Sequence, residues 1–322
     1  ARLGVDSPAH RLDHATLAAL YDSASQKPEV QVKRDLWAKL LRTAFGSGFN
    51  DDPSLFIDHT LLVLTAEAIA HGVAGFDLVT DGLTAQEITR GTRFRDAQIY
   101  GVVEEDFFDW VLEADGGPTF VTELVRRISR FDWTQAISHD VLKSLYTSVI
   151  STQVRESLGE YYTPDWLANR MVVDAYTDPL NQRLLEPSCG SGTFLMHAVE
   201  AHLTAAEKAD MTVGEAITSL TSRVIGMDIH PVAVSLARVS YLIAIGNRRL
   251  QDPTRGPVTI PVYLGDSIQW EQHTDLLAGL SDITISTEGD DLVSGGGALF
   301  GDELKFPVSV LDDAHNFDQL VS

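Results

Sequence analysis

A chain of 322 residues holds material for about two domains, and 44% hydrophobic with 8% aromatic residues exclude wholesale disorder. Acids number 46 against 24 Lys and Arg, a net charge of −22; this argues against a free-standing nucleic-acid binder, because phosphate neutralisation supplies most of such affinity. The one cysteine, Cys189, excludes an intrachain disulfide and a Cys-rich zinc site, and the ten histidines show no metal-ligand spacing.

Residues 1–157 read as a helical N-terminal domain. Leu36, Trp37, Leu40, Leu41 and Phe45 form one apolar stripe in a helix over Val32 to Phe45. Asp51-Asp52-Pro53-Ser54 starts a helix running to about His71. Further helices are expected over Glu104 to Glu113, Phe120 to Phe131 and Asp140 to Leu158. Glu104-Glu105-Asp106 reads as a helix N-terminus. Arg90, Arg93 and Arg95 read as a loop cluster, and Arg126, Arg127 and Arg130 as a solvated basic helix face. No run approaches about 18 consecutive apolar residues, so no membrane partner is expected. Residues 1–10 lack an apolar signal region. A cytoplasmic protein, trimmed at a start that is not Met, is the expectation.

After Leu158 the pattern changes. Thr163-Pro164-Asp165 starts a helix to about Ala175. Strands at Arg183 to Glu186, Arg223 to Ile229 and Val258 to Leu264 alternate with helices at Thr193 to Lys208 and Pro231 to Ile245. This alternation predicts an α/β fold, the first part of a doubly wound parallel sheet, over 158–268. Residues 269–322 read as an acidic insertion or tail, partly irregular, with a flexible Gly-rich loop at Gly289 to Gly297. From Asp266 onward there are twelve acids and one Lys, half the net charge of the chain.

The chemistry concentrates in the turn Glu186-Pro187-Ser188-Cys189-Gly190-Ser191-Gly192. In open α/β sheets ligands bind beyond the carboxyl ends of the strands, and a Gly-rich first turn lets backbone approach them. The turn is neither G-x-G-x-x-G nor a phosphate-binding P-loop; alone, it also fits a tight strand-to-helix turn without a ligand. Asp228 ends the second strand, where an acid can accept from both ribose hydroxyls, or can simply cap a helix. Asp266 ends the third, where it can accept from an exocyclic amine or merely close a turn.

Taken together these motifs resemble the S-adenosylmethionine-dependent N6-adenine DNA methyltransferases of type I and type IIG restriction-modification systems and related phage-defence methylases. Glu186-Pro187-Ser188-Cys189-Gly190-Ser191-Gly192-Thr193-Phe194-Leu195 resembles the family's first motif, where Asp is commoner at the first position. Gly159-Glu160-Tyr161-Tyr162-Thr163-Pro164 resembles the motif before it, Met227 to Pro231 the second, and Gly265-Asp266-Ser267 the third. The resemblance covers about 155–268 and implies a Rossmann-like sheet with S-adenosyl-L-methionine as cofactor. It implies that Thr163, with Tyr162, contacts the methionine carboxylate. Glu186, Ser188, Gly190 and Gly192 would shape the methionine and ribose pocket. Asp228 would bind the ribose hydroxyls, Ile229 would pack on adenine, and Asp266 would accept from the adenine amine beside the Ser267 backbone. Cys189 is read as a small residue in the turn and not as a nucleophile.

The family's catalytic Asn/Asp/Ser-Pro-Pro-aromatic motif is absent: none of the twelve prolines adjoins another. The expectation is therefore an N-terminal, cofactor-binding fragment, inactive by itself, with no catalytic residue in the chain and no metal. The catalytic motif and target-recognition domain would lie beyond it. One sheet edge should be exposed. DNA would be held through the full-length protein, weakly by this piece, with a specificity subunit or other defence proteins as further partners. Two alternatives stay open: a methyltransferase acting on cytosine N4, RNA or a protein glutamine, and a non-catalytic cofactor-binding subunit.

Overall fold

A computed structural model describes residues 7–46, 49–78, 82–133, 142, 146–147, 150 and 163–267, and the backbone of 271–274, 281–286 and 303–307. Contacts divide the chain into two compact units, Ala1–Gly265 and Asp266–Ser322. The boundary expected at 157 and the helix expected over Asp140 to Leu158 fall largely outside the described residues, and the loop at Gly289 to Gly297 falls outside them altogether.

The first unit is mostly helical, with a few parallel strands. Helices α1 (Pro8–Ala24), α2 (Pro28–Phe45) and α3 (Pro53–Val73) each carry a proline in their first turn, where its fixed φ suits the helix and its missing N–H is not needed. Ser7 caps α1 by accepting from the His10 N–H at 3.1 Å, and Asp52 caps α3 by accepting from Ser54 at 2.8 Å. Short helices α4 (Ala85–Arg90) and α5 (Thr92–Asp96) lead to strand β1 (Ile99–Tyr100). A 3-10 helix (Phe107–Glu113) and α6 (Gly117–Ile128) follow.

Helix α3 is long and apolar enough to cross a membrane by length and composition, yet it runs through the protein's own core. Two of its polar side chains find partners there in tryptophan N–H groups. Thr60 accepts from Trp110 Nε1 at 2.9 Å, and His59 Nδ1 accepts from Trp37 Nε1 at 3.2 Å.

The strand layer begins after α7 (Asp165–Ala175). Strands β2 (Leu184–Glu186), β3 (Val224–Asp228) and β5 (Val262–Leu264) are parallel, in the order β2-β3-β5. Leu184 pairs with Val224 and Gly226 with Val262. Helix α8 (Thr193–Lys208) joins β2 to β3 by way of α9 (Val213–Thr221), and α10 (Pro231–Ile245) follows β3. A further short helix, α11 (Asn247–Leu250), leads to β4 (Val258–Thr259). Helix α10 packs on α3, α8, β3 and β5. One continuous core therefore runs from Leu17 through Trp37 and Phe56 to Leu195, Leu236 and Val262. β2 lies at a sheet edge, and its Leu185 is 59% exposed.

Several details differ from the sequence expectation. Helix α2 starts four residues early, at Pro28; Trp37 and Leu41 of the expected stripe are buried, joined by Val30 and Ala38, while Leu36 is 49% exposed. The third strand is two pieces. β4 pairs in parallel with β1, and β5 pairs with β3, because Pro261 lies between the two pieces and brings no backbone N–H to a ladder. The Arg90, Arg93 and Arg95 cluster sits on α4 and α5 and not on a loop. Arg127 pairs with Asp13 and Arg126 with Glu123, so two members of the expected solvated face are engaged. The second unit contains an antiparallel meander, β6 (Glu271–Thr274), β7 (Ser281–Ser286) and β8 (Glu303–Pro307), with Ile283 opposite Gln272 and Phe306.

His71 is fully buried and its Nδ1 lies 2.8 Å from the Glu67 carbonyl. Burial pulls its pKa down to about 4 from 6.5. The folded state therefore holds it neutral, and its stabilising contribution is complete above pH 6.5 and is lost as pH falls toward 4. The advantage of the native protein over His71→Gln should shrink by about 1.4 kcal/mol per pH unit across that window, read by urea unfolding at stepped pH. A pH-independent difference between the two proteins would refute the assignment.

Candidate cofactor-binding site

The first strand ends in a turn that closes onto its neighbour. The Cys189 N–H donates to the Met227 carbonyl at 2.9 Å. The Gly190 N–H donates to Asp228 Oδ2 at 2.8 Å, while Asp228 Oδ1 accepts from the His230 N–H at 2.8 Å. The Gly265 N–H, just beyond β5, donates to the Asp228 carbonyl at 3.0 Å. Asp228 thus ties the Gly-rich turn to the start of α10 through its carboxylate, and β5 to β3 through its backbone. It is 8% exposed. Burial raises its pKa, and N–H donors from His230, Gly190 and Ile229 oppose that rise.

The two glycines do different work. At Gly192, φ is +94° and an added Cβ would lie 3.1 Å from Ser240 Cβ and 3.2 Å from Ala237 Cα. Close packing of the turn on α10 is the reason for this glycine. It is reinforced by the Ser240 hydroxyl, which donates to the Ser191 carbonyl at 2.7 Å. At Gly190, φ is +53° and an added Cβ would meet nothing within 4 Å. The space over Gly190 is open.

Glu186 is half-buried; burial raises its pKa, the Ser188 N–H opposes the rise, and Asp228 adds to it. Ser188 is exposed and Ile229 half-buried. Sequence reasoning passed over Ser191: its hydroxyl is buried in the turn without a hydrogen-bond partner. The open space at Gly190 and this unused hydroxyl give the turn both room and an orphaned polar atom, which fit a small ligand bearing hydroxyl and carboxylate groups. Cys189 is 5% exposed, and burial, with Asp228 and Glu186 beside it, pushes its thiol pKa well up. A thiol held protonated is a poor nucleophile.

The other expected residues are placed as follows. Tyr162 lies outside the described residues. Thr163 is half-buried and stands two residues before α7, whose Asp165 Oδ1 is 3.0 Å from His197 Nε2. Because His197 is in the first turns of α8, Thr163 is held toward the end of α8 that the glycine turn feeds. Asp266 and Ser267 begin the second unit, half-buried and exposed respectively. The structure therefore brings Glu186, Ser188, Gly190, Gly192, Asp228 and Ile229 to one strand-end turn. Among the described residues no group of three or more His, Cys, Asp or Glu forms a metal cluster.

Residues 137–259 match the family model described as N-6 DNA Methylase. This segment belongs to that family. The methylase segment contains the turn and Asp228, and ends before Asp266. The adenine-specific methyltransferase PglX of Streptomyces coelicolor is 25% identical over 197 residues, which are 57% of this chain and 14% of that protein. The chain thus spans a small part of that relative's length. Among solved structures, the ATP-dependent Type ISP restriction-modification enzyme LlaBIII bound to DNA is 12% identical, with a TM-score of 0.43, over 82% of this chain and 18% of that one. A modification subunit of a putative type I restriction enzyme from Vibrio vulnificus is 16% identical, with a TM-score of 0.36, over 72% and 55%.

The two glycines predict a graded outcome. Alanine at either must adopt a positive φ, at about 1–2 kcal/mol. Gly192→Ala should cost about 1–3 kcal/mol more, because backbone and side chain of α10 must shift. Urea unfolding of both variants checks this; equal losses would show that Gly192 is not packed as described.

Proposed function

We propose that residues 158–268 are the S-adenosyl-L-methionine-binding half of a DNA adenine-N6 methyltransferase domain of a restriction-modification or phage-defence system. Residues 1–157 form its helical N-terminal domain, and 269–322 an acidic insertion or tail, partly irregular. The observation that carries this reading is the 2.8 Å clasp between the Gly190 N–H and the Asp228 carboxylate. It joins the turn that, by family resemblance, shapes the methionine and ribose pocket to the acid that binds the ribose hydroxyls. The similarity to PglX and the family match over residues 137–259 support the same reading.

In this reading the open face of Gly190 admits the ribose and methionine end of the cofactor. Glu186 and Ser188 line that end, and Thr163, with Tyr162, meets the carboxylate. Asp228 keeps lone pairs beyond those used by His230 and Gly190, and these accept from the ribose hydroxyls. Ile229 packs on adenine. When bound, S-adenosylmethionine supplies an activated methyl group on its sulfonium sulfur. The side chains that orient a target amine belong to the Pro-Pro motif, which this sequence lacks. That part, the target-recognition region and the main DNA contacts lie in the remainder of the protein, with a specificity subunit or other defence proteins as partners.

Titration calorimetry of S-adenosylmethionine against the 322-residue chain tests the reading. The native chain should bind. Asp228→Asn keeps one acceptor and removes the charge, and should weaken binding by about tenfold or more. Gly190→Ala should weaken binding with only a modest loss of stability, since its Cβ enters the ligand's space and not the protein's. No binding by the native chain, or equal binding by both variants, would sink the assignment. Incubated with DNA and methyl-labelled cofactor, the chain alone should transfer no label; robust transfer would overturn the fragment reading.

A further inference from the structure

A second concave site lies away from the strand-end turn and shares no residue with it. It is a small cleft of about 80 Å³ between α3, residues 102–106 and α10. Apolar side chains form part of its lining: Val63 and Ala66 from α3, Val103 from the connecting segment, and Val239 from α10. Its polar groups are mostly acids, namely Glu67, Glu104, Glu105 and Asp106, with Arg238 the one base among them.

Most of these charges are already matched. Arg238 donates to Glu104 Oε2 at 2.8 Å and to the Val262 carbonyl at 2.9 Å. Arg90 lies 3.7 Å from Glu105. Lys33 is directed to the Asp106 carbonyl oxygen, at 3.3 Å, and to the Asp109 carboxylate. Asp106 Oδ1 caps the 3-10 helix by accepting from Phe108 at 2.7 Å. Glu67 is different. It is 5% exposed, lines the cleft from α3, and its Oε2 is buried with no hydrogen-bond partner. A buried carboxyl left this way costs several kcal/mol if charged, so it stays protonated until a cation arrives. Burial and the nearby Asp106 both raise its pKa.

We propose that this cleft takes the ammonium end of a small aliphatic amine, with the Glu67 carboxylate as its counter-ion and the valine-lined walls around its methylenes. Two features select an amine over a metal ion. Among the described residues no three ligating side chains gather there, and a divalent ion wants more oxygen ligands than Glu67 and Asp106 offer. An ammonium needs only a few acceptors and carries an apolar stem, which matches an acidic end and an apolar wall. The charge balance is simple. The amine enters as its cation, Glu67 gives its proton to solvent, and one proton is released per amine bound. Asp106, Glu104, Glu105 and Arg238 face Glu67 across the cleft and keep their pairings. This inference stands apart from the methylase reading, since the cleft and the turn are separate.

The probe is n-butylammonium chloride, with 1-butanol as its uncharged match and sodium chloride as the ionic control. The thermal midpoint of the native chain should rise with butylammonium concentration and stay level with the two controls. Calorimetry in buffers of different ionisation enthalpy should report about one proton released per amine. Glu67→Gln, which imitates the protonated carboxyl, should keep the native midpoint and lose about tenfold or more in amine affinity. Ser235→Leu, which projects into the cleft from α10, should block binding independently of Glu67. Absence of a shift in the native chain, or equal affinity in Glu67→Gln or Ser235→Leu, would overturn the proposal.

Discussion

Helix α10 is apolar around nearly its whole circumference. Val232, Val234, Leu236, Ala237, Val239, Tyr241, Leu242, Ile243 and Ile245 are all buried. A helix of that kind has no solvent face and must be enclosed. Each large aliphatic side chain left in water would forfeit about 1.5–3 kcal/mol, so the covering elements are a requirement of the fold. The enclosure comes from α8, the strands and, on another side, α3, which is equally apolar and equally buried. The helical N-terminal region and the strand layer thus share one core. Side-chain ties to backbone run beside it: the Asn247 amide donates to the Val73 carbonyl at 3.0 Å, the Gln251 amide to that of Ala74, and the Arg255 guanidinium to that of Ala97.

The strand-end turn inherits its shape from this burial. Ser240 and Ala237 of α10 dictate glycine at 192, and the Ser240 hydroxyl fixes the carbonyl before it. Tyr241 donates to the Val224 carbonyl at 3.1 Å, and Arg238 to that of Val262, so the same helix aligns both neighbouring strands. The start of α10 is set by His230, whose Nδ1 accepts from Val232 at 3.1 Å and whose own N–H is held by Asp228. His230 in turn packs 5.3 Å from His59 of α3, ring to ring. The acid at the end of β3 therefore rests on the helical region through two buried imidazoles. Burial lowers the pKa of both, that of His230 to about 3, and holds both neutral.

This explains what was legible in the sequence. Elements with strong one-dimensional signals came through. The limits of α8 and α10 were readable from a glycine turn or Pro231 at the start and the end of an apolar run at the finish. The turn itself and Asp228 were readable because strand ends in parallel sheets have fixed positions. Elements whose existence depends on a distant partner were not. β1 is two residues long and exists by pairing with β4, and the break at Pro261 that separates β4 from β5 splits what reads as one apolar run. The exposure of Leu36 follows from which side of α2 meets the core, and periodicity alone does not choose between overlapping stripes. For α4 and α9 a usable signal was present: Thr84 with Glu87, and Thr212 with Glu215, form capping boxes at their starts. Glu67 and Ser191 carry no signal in sequence, since a polar residue inside an apolar run reveals nothing about whether it finds a partner.

The charge of −22 is resolved by location. Half belongs to the segment from Asp266 onward, the second unit. Within the first unit many cations have acidic partners of their own: Arg34 and Arg42 on Asp51, Lys33 and Arg90 on Asp109, Arg127 on Asp13, Arg238 on Glu104 and Arg249 on Glu207. Cations spent on internal pairing release no counterions from a phosphate backbone. The acids, in contrast, exceed their partners, and where burial strands one of them, as at Glu67, the surplus becomes an attraction for a cation and not a repulsion spread over the surface. Among the described residues, Glu67 is the acid whose buried carboxylate oxygen has no hydrogen-bond partner.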